Sequence, residues 1–360
     1  MSNGGNNGPV ILNNLPQGDE FMVSGRGETL HLRSFLPGQG EEIKAFILFI
    51  HGYGGHTNSR PKYKLGSAVK SSGMIMVQLD LVGHGYSEGE RAYSNHYSEW
   101  LDDVMQLLEM VSAGGSKEGC KAKFNFSVAQ QEQLKKVPFF LAGESLGGGI
   151  SIMTGLIMND KEHPLLPRFK GAILIAPAIQ GNPPPRPVVL ALRYLVAPYF
   201  PRTELPNMLE AVHLPDKVWK NKEDQDTAAR DGWGNPGGLG WGRNMKFRMA
   251  LNMLDMVEVI NNRLSDVTFP FLVMHDPDDA IVQFGPSKRL AEVARTPSDD
   301  TRSRELKEMN GWLHDLLTNC PDIVIANLLD WVLYQLARSS VTEAPFVHAG
   351  VCTQEGALFL

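Results

Sequence analysis

A chain of 360 residues with 42% hydrophobic content can form one large α/β domain or two smaller ones around a sizeable core. Its formal net charge of −6 speaks against a nucleic-acid partner, which would need a basic face. The polar start, MSNGGNNGPVILNN, has neither the basic nor the apolar region of a secretory signal, so a cytoplasmic location is expected. Cys120, Cys320 and Cys352 are far apart and lack metal-ligand spacing; they read as reduced thiols, and no metal or cofactor is predicted.

Residues 1–18 read as a disordered arm. Phe21 to Val23 and Thr29 to Phe35 then read as a hairpin turning at Gly25-Arg26-Gly27. Near-continuous apolar runs follow at Ala45–Ile50, Met74–Leu79, Val137–Ala142, Ala172–Ala176 and Phe271–Met274, as parallel strands covered on both faces require. Between them, Trp100, Val104, Leu107, Leu108 and Val111 repeat at helical spacing, as do Ile323, Leu328, Leu329 and Val332 after the start signal Pro321-Asp322. This alternation predicts an α/β fold with a mostly parallel, doubly wound sheet.

Two stretches break the rhythm. Ser112–Lys136 is polar and reads as a surface insertion before a strand. Residues 180–245, opening on Pro183-Pro184-Pro185-Arg186-Pro187, read as a helical cap over the sheet's C-terminal edge, where ligands bind in open α/β sheets. The core then consists of 19–179 and 246–342, and 343–360 forms a flexible tail. The apolar run Val188–Phe200, interrupted by Arg193 and Pro198, is shorter than the roughly 20 residues of a membrane span.

The strand at 137–142 leads into Gly143-Glu144-Ser145-Leu146-Gly147-Gly148. A serine hydroxyl is a weak nucleophile until a tight turn presents it and a neighbouring base deprotonates it. With this motif the expected chain order is serine, acid, histidine. Of His163, His213, His275, His314 and His348, which follow the serine, His314, in a loop between a strand-like segment (305–309) and the last helix, is the predicted base; His163 and His213 precede any candidate acid and read as solvated surface residues. Asp279 is the predicted acid, with Asp276 and Asp278 as candidate turn caps, and three carboxylates so close should raise at least one pKa. The predicted oxyanion donors are the amides of Leu146 and of Tyr53, in the loop His51-Gly52-Tyr53-Gly54-Gly55. His51 reads as structural. Asp80–Arg91 reads as a rigid loop whose internal ion pairs brace the site.

These pieces resemble the monoacylglycerol lipase and lysophospholipase branch of the α/β-hydrolases (serine aminopeptidase S33-like hydrolases). The resemblance rests on HGYG at 51–54, DLVGHGYSEGER at 80–91, GESLGG at 143–148, the strand into Asp279, and GWLH at 311–314, and covers about residues 19–337. It implies Ser145, Asp279 and His314 as the triad, Tyr53 and Leu146 as oxyanion amides, and a cap that shapes an acyl-chain tunnel. Two departures stand out: Asp276 occupies a position where the family carries glycine, and Gly55 one where animal monoacylglycerol lipases carry a head-group-binding glutamate.

The expected reaction is hydrolysis of a monoacylglycerol ester through an acyl-enzyme, with a lysophospholipid or another carboxylic ester as alternative substrate. A non-catalytic hydrolase-fold binding protein is the competing class, and such proteins typically lose a triad member. Val188, Leu192 and Leu195 are the predicted acyl-chain contacts. The cap, with Arg186, Arg193 and Arg202 as a basic rim, is expected to touch membranes peripherally or else to be an ordinary packed helix. The oligomeric state is left open.

Overall fold

The computed structural model describes residues 19–206, 215–297 and 300–342. The expected arm at 1–18, the tail from 343, His213, His348 and Cys352 lie outside the described residues. The strands are β1 (Glu20–Val23), β2 (Thr29–Phe35), β3 (Phe46–Ile50), β4 (Ile75–Leu79), β5 (Ala122–Lys123), β6 (Phe139–Glu144), β7 (Phe169–Ile175), β8 (Phe271–His275) and β9 (Arg304–Glu308). They form one nine-stranded sheet in the order β5-β1-β2-β4-β3-β6-β7-β8-β9. From β4 to β9 all pairs are parallel; β5, β1 and β2 extend the sheet antiparallel.

The apolar runs are parallel strands because each serves two cores. Phe46, Leu48 and Ile50 face one helical layer, and Ile47 and Phe49 the other; Phe139 and Leu141 divide from Phe140 and Ala142 in the same way. Each such side chain withdrawn from water contributes about 1.5–3 kcal/mol, so slipping a strand by one residue would be heavily penalised.

The helices are α1 (Arg60–Ser71), α2 (Ser98–Ser112), α3 (Val128–Leu134), α4 (Leu146–Asp160), α5 (Arg186–Ala191), α6 (Pro215–Val218), α7 (Lys222–Arg230), α8 (Phe247–Asn262), α9 (Phe284–Val293), α10 (Leu316–Asn319) and α11 (Pro321–Thr342). The larger core lies under α2, α4 and α8, the smaller under α1, α10 and α11. On α11 the buried seam is Val324, Leu328, Trp331 and Val332, whereas Ile323 is exposed. No helix among the described residues is long and apolar enough to cross a membrane.

The 112–136 insertion is more than a surface excursion. It supplies the edge strand β5, which pairs with β1, and α3, whose Ser127–Gln130 capping box satisfies two orphan amides at the helix start. Gln130 and Leu134 are buried, and Arg168 ties the segment down by donating to the carbonyls of Ser112 and Val137.

Because β3, β4, β6, β8 and β9 are parallel, the loops after them emerge at one edge of the sheet. Those loops carry residues 51–56, 80–91, 145, 276–283 and 310–315, which are the segments the sequence singled out. The 180–245 segment follows β7 and reaches that same edge.

Candidate active site

Ser145 sits between β6 and α4 with φ +49° and ψ −116°, a conformation that costs a non-glycine residue on the order of 1–3 kcal/mol. The turn closes so tightly that a Cβ on Gly143 would stand 2.2 Å from the Gly147 carbonyl carbon, and one on Gly147 would stand 2.1 Å from the Ile50 oxygen. Both motif glycines are therefore sterically required. Leu146 opens α4, so its amide has no acceptor within the helix.

His314 Nε2 lies 3.0 Å from Ser145 Oγ, and its Nδ1 lies 2.6 Å from Asp279 Oδ2. Asp279 is buried and well supplied with donors. Its Oδ1 accepts the amides of Ile281 at 2.7 Å and Val282 at 3.0 Å, and its Oδ2 also meets His275 Nε2 at 3.1 Å. Burial alone would raise its pKa, but the charge on His314 and the donors from both histidines hold the carboxyl below the usual range. At His314 burial disfavours the cation, yet the adjoining Asp279 carboxylate outweighs it and the pKa is raised.

The loop after β3 passes directly over the serine: a Cβ on Gly52 would come within 3.2 Å of Ser145 Cβ. His51 is buried, its Nδ1 2.7 Å from the Gly52 carbonyl while its Nε2 accepts the Leu81 amide at 3.1 Å. Burial pushes its pKa down to about 3, which fits a structural bridge between two loops. Tyr53 lies on this loop and lines the cavity beside Ser145.

The 80–91 loop braces the site, though its ion pairs reach outward. Buried Asp80 meets His31 Nδ1 at 2.7 Å and accepts the amides of Thr57 at 2.6 Å and Tyr86 at 3.0 Å. Glu90 binds Arg202 at 2.6 Å and Lys246 at 2.8 Å, and Arg91 stacks over Trp233 at 4.1 Å. The loop thus bolts the sheet to the 180–246 segment. That segment also grips the loop after β3: Trp241 donates its amide to the Gly54 carbonyl at 2.8 Å, and His56 Nε2 lies 2.6 Å from Asp231.

Ser145 and His314 open onto a cavity of about 1240 Å³. Its lining includes apolar side chains, among them Val189, Leu192, Met253, Leu254 and Val257, and polar ones, among them Asn58, Arg60, Lys62 and Glu223. Of the predicted acyl contacts only Leu192 is on the wall. Val188 is off it, and Leu195 points outward with 70% exposure. For Leu195 the cause is a π-helical turn over Leu192–Val196, closed by Ala197 N donating to Leu192 O at 2.8 Å, which breaks the 3.6-residue count; Val188 lies before it, in α5. The basic rim needs correction too: Arg193 is paired with Asp255 and Arg202 with Glu90.

Several supporting residues escaped the sequence reading. His275 bridges Ser287 Oγ (2.8 Å) and Asp279, and its spacing of four residues before the acid was the available signal. Asp276 accepts the amides of Trp312 and Leu313 as well as capping its own turn. Lys62 forms a 2.6 Å ion pair with Glu144, whose Oε1 also accepts the Gly52 amide at 3.3 Å. An acidic residue next to the nucleophile was the hint that a buried cation would be needed.

Mouse monoglyceride lipase is 26% identical to this chain over 336 residues, spanning 92% of this chain and 96% of the mouse protein. Among solved structures, the monoacylglycerol lipase of Paleococcus ferrophilus superposes with a TM-score of 0.63 at 19% identity, covering 85% of this chain and 99% of that one. A soluble variant of the Saccharomyces cerevisiae monoglyceride lipase, in complex with a substrate analogue, gives 0.65 at 17% identity, covering 88% and 94%. The fold is that of the α/β-hydrolases. The hydrolase family described as serine aminopeptidase, S33 matches residues 41–321, and the chain belongs to it.

Proposed function

We propose that the protein is a carboxylic ester hydrolase that cleaves a monoacylglycerol to fatty acid and glycerol through an acyl-enzyme on Ser145. The observation that carries the reading is the unbroken run Ser145 Oγ–His314–Asp279, at 3.0 and 2.6 Å, opening onto a cavity lined by both apolar and polar side chains. The resemblance in sequence to monoglyceride lipases over most of the chain supports the substrate class.

His314 Nε2 takes the serine proton as Oγ attacks the acyl carbonyl, and Asp279 stabilises the imidazolium that forms. The amides of Leu146 and Tyr53 receive the oxyanion. His314 then protonates the departing glycerol oxygen, and a water repeats the sequence to release the fatty acid. The apolar lining contributed by Val189, Leu192, Met253, Leu254 and Val257 receives the acyl chain, and the polar lining the head group. Residues 180–245 act as the cap, and the exposed Tyr194, Leu195, Tyr199 and Phe200 form its membrane-facing surface.

A second reading, a lysophospholipid substrate, is favoured by Arg60 in the cavity lining, together with Gly55 at the glutamate position. Fatty-acid release from a long-chain monoacylglycerol and from a matched lysophospholipid separates the two, with Ser145→Ala as control. Release from neither substrate, nor from short-chain esters, would refute the enzymatic reading.

A further inference from the structure

Asp276 is fully buried at the end of β8, and its carboxylate faces two loops at once. Oδ1 accepts the amide of Asp278 at 2.9 Å, and its own carbonyl accepts the amide of Asp279 at 3.1 Å, so it shapes the turn that carries Asp279. Oδ2 accepts the amides of Trp312 at 2.6 Å and Leu313 at 2.7 Å, the two residues before His314. Leu313 has φ +62°, a region a leucine holds only where its surroundings impose it. The Asp276 carboxylate supplies that constraint.

Strands β8 and β9 stay in register as far as His275 and Glu308, and Met309 then donates to the His275 carbonyl at 2.8 Å. Past that point the acid loop and the histidine loop leave the sheet, and the Asp276 side chain joins them. We propose that Asp276 is a positioning residue: by binding the backbone of both loops with one carboxylate, it fixes where His314 stands between Asp279 and Ser145. A glycine, which the family resemblance places at this position, has no side chain to do so. The inference rests on the reading of Ser145, His314 and Asp279 as the hydrolytic residues.

The test uses the full-length chain with Asp276→Asn, which keeps the shape and one acceptor oxygen, and Asp276→Gly, which removes both. Turnover of p-nitrophenyl butyrate is measured alongside ring-proton NMR titration of His314, assigned from the signal lost in His314→Gln. The charged groups that act on this imidazole are Asp279, Asp315 and Glu144, with the Ser145 hydroxyl on its other nitrogen. Loosening the loops withdraws the Asp279 contact. In Asp276→Gly, kcat should fall about 10²-fold, the scale of an ångström's misplacement, with KM little changed. The His314 midpoint should drop toward the ordinary imidazole value, and Asp276→Asn should lie between Asp276→Gly and the native chain on both readouts. A variant that only melts earlier, with kcat per folded molecule and the His314 titration unmoved, would overturn the proposal. If the native chain hydrolyses no ester, the catalytic reading fails, yet the titration still decides: a shifted midpoint upholds Asp276 as the positioner of His314 and an unshifted one refutes it.

Discussion

His275 and His314 meet the same carboxylate oxygen: Asp279 Oδ2 lies 3.1 Å from His275 Nε2 and 2.6 Å from His314 Nδ1. An ionised carboxylate can only accept, so both ring nitrogens carry protons, and Ser287 Oγ is placed to donate to His275 Nδ1 at 2.8 Å. His275→Phe keeps the ring's volume and deletes one donor to a buried charge. Stability should drop by about 1–3 kcal/mol, the penalty for leaving a buried acceptor short of a partner. As Asp279 loses support its grip on His314 weakens, and kcat should fall about tenfold, equivalent to ~1.4 kcal/mol in the barrier. Urea melts and steady-state kinetics check both; an unchanged kcat in a destabilised variant would show that His275 serves packing alone.

The two shifted groups of this array predict opposing pH trends. Catalysis needs neutral His314, whose pKa is raised, so the rate should rise with pH through a midpoint above the free-imidazole value of 6.5. The stabilisation from protonated His314 is complete below 6.5 and is lost as pH climbs through that raised midpoint. Asp279, held low, contributes stability above the ordinary carboxylate value of 3.8 and loses it as pH falls through its depressed value. Between pH 6 and 8, activity should therefore increase while melting temperature slightly declines. A rate flat over this range with chemistry limiting would remove His314 as the base.

Glu90 is the clearest test of how the sheet holds the 180–246 segment. It pairs with exposed Arg202 and with Lys246, whose side chain is only 8% exposed and also donates to the Arg91 carbonyl at 2.8 Å. The Arg202 contact contributes little by itself because water screens it. Removing the carboxylate in Glu90→Gln leaves the Lys246 ammonium buried without its counter-charge, and that term dominates. Global stability should fall by about 1–3 kcal/mol. Proteolysis of the native protein should accelerate within residues 197–246 while the sheet stays resistant. Cleavage spread evenly along the chain would show that the contact braces the whole molecule instead.

What was legible in the sequence follows from how each element is specified. Strands such as Phe46–Ile50 declare themselves because both faces are buried, and Gly143 and Gly147 because no other residue fits. Ala122–Lys123 gave no periodicity to read: its place at the sheet edge depends on backbone pairing with Phe21 and Met22, not on its side chains. Leu195 was misplaced because its local winding departs from 3.6 residues per turn, which apolar composition does not encode. Asp276 looked like a turn cap because the first half of its role is local. The second half spans from residue 276 to residues 312 and 313 and exists only once β8 and β9 are paired.

The 180–245 segment exposes Leu190, Tyr194, Leu195, Tyr199 and Phe200, all at least 45% exposed within eleven residues of sequence. Such a concentration is unusual on a soluble surface and suits a lipid interface, where aromatic rings lie at head-group depth. The nearby arginines contribute less than their charges suggest, since Arg193 is neutralised by Asp255 and Arg202 shares Glu90 with Lys246. Attraction should then come from apolar area rather than from anionic lipid. The protein is expected to co-sediment with neutral phosphatidylcholine vesicles nearly as well as with phosphatidylserine-containing ones, and salt should change this little. Leu195→Asp combined with Phe200→Asp should abolish vesicle binding and slow hydrolysis of vesicle-borne monoacylglycerol. Turnover of a soluble butyrate ester should be unchanged, because neither side chain lines the cavity. Binding that appears only with anionic vesicles and vanishes at high salt would return the role to Arg186 and the basic rim. Binding to neither vesicle would make the exposed cluster a contact surface for something other than lipid.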